Sequence, residues 1–253
     1  MTNSDFSFEV KTPEVGIASQ GSRGNGPRAG RLHTPHGSVL TPAFMPVATQ
    51  ASVKGLSPEE VREVGAEIVL SNAYHLFLRP GVDTVQKMGG VQQFMNWNGP
   101  VLTDSGGFQA FSMGSLRRID DGGINFRSHF DGSEHFLSPE IATKNQLELG
   151  ADIIMCLDQC ISFEAARDEV VKAMGRTHRW AEMCYQYHAA SGSEKQQALF
   201  GIVQGGTFED LRDASTQFIA DIPFQGYAIG GLAVGESKAQ MYQTTGQVAA
   251  CLP

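Results

Sequence analysis

Six short apolar runs, each ending in small or polar residues and alternating with stretches of helical spacing, constrain this chain more than any other feature. They lie at 43–49, 67–72, 101–105, 152–159, 200–204 and 227–230. Strands separated by helices are joined by crossovers rather than tight hairpins, so they become parallel neighbours in one sheet. The unbroken Ile153-Ile154-Met155 run fits a strand covered on both faces. The helices announce their starts. Ser57-Pro58-Glu59-Glu60 puts a capping hydroxyl before a proline suited to the first helical position of a helix at 56–65. Ser138-Pro139-Glu140 repeats that signal ahead of an apolar-periodic stretch ending at Gly150. Segments 165–190 and 208–221 also carry helical spacing.

Polar residues gather at the C-terminal ends of these strands, where barrels and open doubly wound sheets alike place their sites. About six βα units are legible against the eight of a (β/α)₈ barrel. The final Ala249-Ala250-Cys251-Leu252-Pro253 carries no finishing signal, so the chain is expected to be cut short of a full set of units. Residues 1–30 are expected to be a flexible leader, because 16–30 is rich in Gly, Ser, Arg and Pro without apolar periodicity. The GSRGNG run at 21–26 resembles a dinucleotide loop in composition alone, with no strand read before it and no helix after it.

Composition closes off several classes. With 253 residues, 41% hydrophobic and 18% charged, the chain can bury a sizeable core. No stretch approaches the roughly 18 apolar residues of a membrane span, and the N-terminus lacks a secretory pattern. Cys156, Cys160, Cys184 and Cys251 show no framework spacing, so a reduced, cytoplasmic setting is expected. The net charge of −8 weighs against a nucleic-acid partner, because phosphate contacts leave a basic footprint. Such contacts would have to be confined to one face or lie in a missing segment.

The strongest local signal is Thr103-Asp104-Ser105-Gly106-Gly107-Phe108-Gln109. A strand delivers a carboxylate, two glycines let backbone approach a flat ligand, and Phe108 offers a stacking face; the same residues also suit a plain tight turn. Asp158, in Met155-Cys156-Leu157-Asp158-Gln159-Cys160, ends another apolar strand. A carboxylate there must meet donors, either by capping the next element or by accepting from the N–H groups of a heterocycle. Cys156 and Cys160 lack the further ligands of a structural zinc site, so no metal is assigned. Val203-Gln204-Gly205-Gly206 offers an amide able to donate and accept on a base edge. Gly230-Gly231-Leu232-Ala233-Val234-Gly235-Glu236 exposes bare backbone at a further strand end, with no Lys or Arg following to make it a phosphate nest. His75 follows a strand and can face the site, whereas His33, His36, His129, His135, His178 and His188 show no ligand spacing.

Together with Thr34-Pro35-His36-Gly37, Phe44-Met45-Pro46-Val47, Val53-Lys54-Gly55-Leu56, Asn72-Ala73-Tyr74-His75-Leu76 and Leu78-Arg79-Pro80-Gly81, these motifs resemble the bacterial-type tRNA-guanine transglycosylases (queuine tRNA-ribosyltransferases) from about residue 30 to 253. The resemblance implies a (β/α)₈ barrel carrying a zinc subdomain, and with about six units legible the expectation for residues 31–253 is an incomplete barrel without that subdomain. It implies an enzyme, a pentosyltransferase of queuosine biosynthesis, that exchanges guanine at the wobble position of a tRNA with a GUN anticodon for a 7-deazaguanine, preQ1, through a covalent ribosyl-enzyme intermediate. By the same resemblance Asp104 is the acid/base aspartate, Asp158 binds the Watson–Crick edge, and Gln204 and the Gly231 backbone read the base. Ser105, Gly106, Gly107 and Leu232 line its site, and Phe108 stacks where some members carry Tyr. Cys160 and Val234 match members that take preQ1, because those taking the bulkier queuine have glycine at the position of Val234.

The nucleophilic aspartate, the Cys-x-Cys-x-x-Cys and His ligands of Zn²⁺, and the basic residues that seat the anticodon loop have no counterpart in these residues; Ala48 also departs from a common glycine. The expectation is therefore a fragment inactive in exchange by itself, from an enzyme that is a homodimer when complete. The competing readings are a non-catalytic base- or partner-binding homologue of the same fold, and an unrelated barrel hydrolase or lyase using Asp104 and Asp158 as an acid/base pair.

Overall fold

The computed structural model describes residues 6–11, 28–112 and 118–253. An antiparallel sheet comes first: β1 (Ser7–Lys11), β2 (Ala29–Thr34) and β3 (Gly37–Thr41). Strand β4 (Val47–Ala48) and helix α1 (Pro58–Glu63) lead to β5 (Val69–Ser71). Three short helices follow, α2 (Ala73–Leu78), α3 (Val82–Lys87) and α4 (Val91–Phe94), then β6 (Val101–Thr103) and α5 (Gly107–Ser112). A second antiparallel sheet, β7 (Arg118–Asp120), β8 (Gly123–Arg127) and β9 (Glu134–Leu137), interrupts the alternation. It resumes with α6 (Pro139–Leu149), β10 (Ile153–Met155), α7 (Arg167–Ser191), β11 (Ala198–Val203), α8 (Glu209–Ala220), β12 (Gly226–Ile229) and α9 (Lys238–Cys251).

All six expected strands meet in one parallel sheet ordered β4-β5-β6-β10-β11-β12. Each new strand joins beside its predecessor, as in a barrel wall, whereas a doubly wound sheet reverses from a middle strand. Among the described residues β4 and β12 are its open edges, and no closed barrel is formed. Strand β11 starts ahead of its run, at Ala198, but β4, β5, β6 and β10 are shorter than the apolar runs that announce them. Their last residues leave the ladder: the 152–159 run keeps only Ile153–Met155 as strand, and Asp158 turns to a side-chain partner.

Side-chain alternation sorts this sheet into two faces. Ile68, Leu102, Ile153, Met155 and Ile202 cluster with Val39 and the partly buried Leu32 of the first antiparallel sheet. Val69, Val101, Ile154, Leu199 and Val203, each one residue out of phase, pack on the other face with Val61, Leu149, Trp180 and Ile219 from the helices. The antiparallel sheet is fastened at the N-terminal ends of the strands by the fully buried Asp152. Its carboxylate accepts from the His36 N–H at 3.1 Å, from His36 Nδ1 at 2.9 Å, from the Val101 N–H at 2.9 Å and from Gln92 Nε2 at 3.1 Å. That contact pushes the His36 pKa up. With one end of the inner face covered, the polar strand ends lie at the other.

The leader reading needs correction where it can be checked. Ser7–Lys11 pair in register with residues 29–33, so residues 7–11 and 29–30 belong to a sheet. Phe6, Phe8 and Val10 do alternate with polar residues at the strand period, but their partner lies eighteen or more residues along the chain, beyond the reach of a local reading. Residues 1–5 and 12–27, including the glycine-rich run at 21–26, lie outside the described residues.

Candidate functional site

Alternation along the strands delivers the polar residues to the inner face. Asn72 continues the parity of Ile68 and Leu70, Asp104 that of Leu102, and Gln204 that of Phe200 and Ile202. The registers Ser71↔Thr103 and Val203↔Ile229 keep the ends of neighbouring strands level.

Half-buried Asp104 is held from three sides. Its Oδ1 accepts from the Ala73 N–H at 2.9 Å, and its Oδ2 accepts from Asn72 Nδ2 at 2.5 Å and Gln109 Nε2 at 2.7 Å. Loss of hydration raises its pKa, and these bonds hold it back. Asp158 is buried, and its Oδ2 accepts from Gln204 Nε2 at 2.6 Å. Burial pushes its pKa from 3.8 up to about 6; the Gln204 bond opposes that rise and the charge of Asp104 adds to it. Two carboxyls that feel each other, each costly to ionise and each already bonded by side-chain amides, are suited to exchanging protons with a ligand and accepting its N–H groups.

The glycines bring these groups close. A Cβ on Gly107 would lie 2.7 Å from the Asp158 carbonyl oxygen, so the turn after β6 abuts the end of β10 only because no side chain intervenes. Gly231, at φ +62°, would drive a Cβ into Gln204 Oε1. Asp104, Asp158, Gln204 and Gly231 thus form a continuous chain of neighbours. Ser105 is buried, with its hydroxyl accepting from the Gly107 N–H at 3.3 Å, and it counteracts the rise in the Asp158 pKa. Phe108, at the first turn of α5, is 49% exposed, which leaves its ring free to cover a flat ligand.

Beyond β12, Leu232 and Val234 are half-buried. Glu236 shapes their loop by accepting from the N–H groups of Ala233 and Val234. Cys160 is buried, and burial together with the charge of Asp158 pushes its thiol up to about 12, so it is a neutral lining group. His75 is half-buried one residue from Tyr74, its ring edge-on to His129 at 5.6 Å, and burial lowers its pKa. His36, His178 and His188 are engaged by Asp152, the Ser215 hydroxyl and the Gln197 carbonyl. Among the described residues, no three His, Cys, Asp or Glu side chains gather as a metal site.

Three residues of the site went unassigned in the sequence. Asn72 and Gln109 hold Asp104, and both stood within the motifs that flagged their neighbours. Arg212 is fully buried on α8; its donors meet the carbonyls of Gly206 at 2.6 Å, Val203 at 3.0 Å and Gly231 at 3.4 Å. Burial draws its pKa down to about 10, so it stays charged at neutral pH. A signal existed: Arg212 shares a helical face with Ser215, Thr216 and Ile219.

The family model for queuine tRNA-ribosyltransferase matches residues 23–253. The chain is 52% identical over 228 residues to the queuine tRNA-ribosyltransferase of Pelotomaculum thermopropionicum, covering 90% of this chain and 60% of that protein. It is 55% identical over 219 residues to that of Acetivibrio thermocellus, covering 87% and 58%. With that of Symbiobacterium thermophilum it shares 56% over 216 residues, covering 85% and 53%. The chain therefore spans just over half to three fifths of the length of these curated relatives.

Proposed function

The chain belongs to the family of queuine tRNA-ribosyltransferases, and from this we propose that its strand-end site is the base-recognition and proton-transfer part of a tRNA-guanine transglycosylase. The observation that carries the reading is the bonding of Gln204 to Asp158 beside Asp104, at the C-terminal ends of three parallel strands. Parallel barrels place their chemistry at that end.

In this reading the Asp158 carboxylate accepts the N–H donors on the Watson–Crick edge of guanine, and the Gln204 amide and the Gly231 backbone complete the edge. Phe108 stacks on the ring. An aspartate outside these residues attacks the anomeric carbon while protonated Asp104 donates its proton to the departing base: a C–O bond forms, the glycosidic C–N bond breaks, and guanine leaves as the neutral base. Asp104 then takes the N–H proton of the incoming 7-deazaguanine as that base displaces the carboxylate from the ribose. In this reading the six parallel strands are consecutive staves of a (β/α)₈ barrel. The zinc ligands implied by the resemblance have no match among residues 1–253. The tRNA with its GUN anticodon, the homodimer and a cytoplasmic location belong to the same proposal; among the described residues no helix is long and apolar enough to cross a membrane.

The test uses guanine and preQ1 as probes. Titration calorimetry is expected to show both binding the 253-residue chain, with no exchange of labelled guanine into tRNA until the full-length protein is used. Exchange by the 253 residues alone would refute the placement of the nucleophile, and failure of either base to bind would refute the site. Base choice is tested at Val234, half-buried beside the recognition loop. In the full-length protein Val234→Gly should raise kcat/KM for queuine relative to preQ1 by about 10-fold or more, the usual worth of a few methyl groups in a fitted pocket. An unchanged ratio in competition kinetics would remove Val234 from the specificity set.

A further inference from the structure

Helix α8 turns Leu211, Arg212, Ser215, Thr216 and Ile219 to the core, and the one charged member is entirely enclosed. Removing a guanidinium from water costs several kcal/mol unless its donors are taken. Here all three contacts go to main-chain carbonyls, and those carbonyls are not scattered. Val203 immediately precedes Gln204, Gly206 closes the turn after it, and Gly231 stands on the neighbouring strand end, against Gln204 Oε1. Carbonyl and N–H point in opposite directions across a trans peptide, so holding the Gly231 carbonyl also fixes the direction of the Leu232 N–H.

We propose that Arg212 is a positioning residue of base recognition, clamping the ends of β11 and β12 so that the Gln204 amide and the Gly231 loop present a single edge in fixed register. The inference rests on the reading of that edge as base-binding. The chemistry favours arginine. A planar fork reaches three carbonyls at once, whereas the single nitrogen of lysine reaches fewer and an apolar side chain reaches none.

The experiment compares Arg212→Lys and Arg212→Met with the unsubstituted full-length protein. It measures kcat and KM for guanine exchange into tRNA, the folded fraction by circular dichroism, and amide hydrogen exchange. A loosened edge should raise KM for the base by about 10- to 100-fold in Arg212→Met, in line with the effect of small misplacements at a site. Arg212→Lys should fall between, with kcat little changed in both. Amide exchange should quicken at 204–206 and 230–232 and nowhere else. If Arg212→Met fails to fold, Arg212→Lys decides by the same readings. Losses of activity that only track the folded fraction would overturn the assignment, as would an unchanged KM in the lysine variant. If the unsubstituted protein exchanged no guanine, the base-exchange reading would fall, and amide exchange confined or not confined to 204–206 and 230–232 would still judge the clamp.

Discussion

Replacing Asp104 by asparagine in the full-length protein is expected to lower base exchange by about 10²–10⁴-fold, the range typical of losing a general acid/base, while binding of free guanine stays near its original strength. The separation follows from the partners of the two carboxyls. Asp158 meets Gln204, on the recognition edge, whereas Asp104 meets Asn72, Ala73 and Gln109. The substitution is also expected to fold. An asparagine there can keep the Ala73 N–H with its oxygen, but its new NH₂ faces both Asn72 Nδ2 and Gln109 Nε2, so the Asn72 amide must turn its own NH₂ away and one acceptor is needed where Gln109 now donates. Gln109 Oε1 is buried without a partner, so a flip of that amide supplies the acceptor. Because burial holds the Asp104 pKa up, removing the charge relieves a cost as well. Single-turnover label exchange and guanine calorimetry check the two halves; exchange within tenfold of the original would exclude Asp104 from proton transfer.

The parts of this fold that could be read from the chain are those whose cause is local. Ser57 caps α1 through the Glu60 N–H at 3.2 Å and receives the Glu60 carboxylate on its own N–H at 2.7 Å, as the Ser-Pro-Glu-Glu run announces. Gly150 ends α6 in the left-handed conformation, at φ 78°. Asp104, Asp158 and Gln204 were visible because a polar residue ending an apolar strand has to find a use. The two antiparallel sheets escaped because strand pairing is set by distant partners: β7–β9 alternates only in pieces broken by Asp-Gly turns, and β1 pairs across residues 12–28. Arg212 escaped for a related reason. An arginine within an amphipathic helix usually belongs to the solvent face, and only the convergence of three carbonyls from two other strand ends turns it inward.

Asp158→Asn is expected to weaken guanine binding by about 10²–10⁴-fold and, in the same protein, to strengthen the ligand-free fold above pH 6. The binding loss is that of roughly two hydrogen bonds to a charged acceptor, each worth about 1.5–3 kcal/mol: guanine offers donors along this edge, and an asparagine amide meets one of them with a donor of its own. The stability gain comes from burial. Asp158 titrates near 6 in the fold against an ordinary 3.8, so the folded chain holds this proton more tightly than the unfolded chain does. Below pH 3.8 the group is protonated in both states and adds no penalty. Between 3.8 and about 6 the unfolded state ionises first, and folding loses up to about 3 kcal/mol by linkage. Above 6 the loss is complete and constant. Asparagine carries no such penalty, so the Tm of the variant minus that of the original should climb across pH 4 to 6 and then level off. A difference that stayed flat, or fell as pH rose, would mean that the Asp158 carboxylate is compensated in the empty site. The same carboxylate should make guanine affinity decline as pH is lowered through 6, because the protonated group no longer accepts at both oxygens.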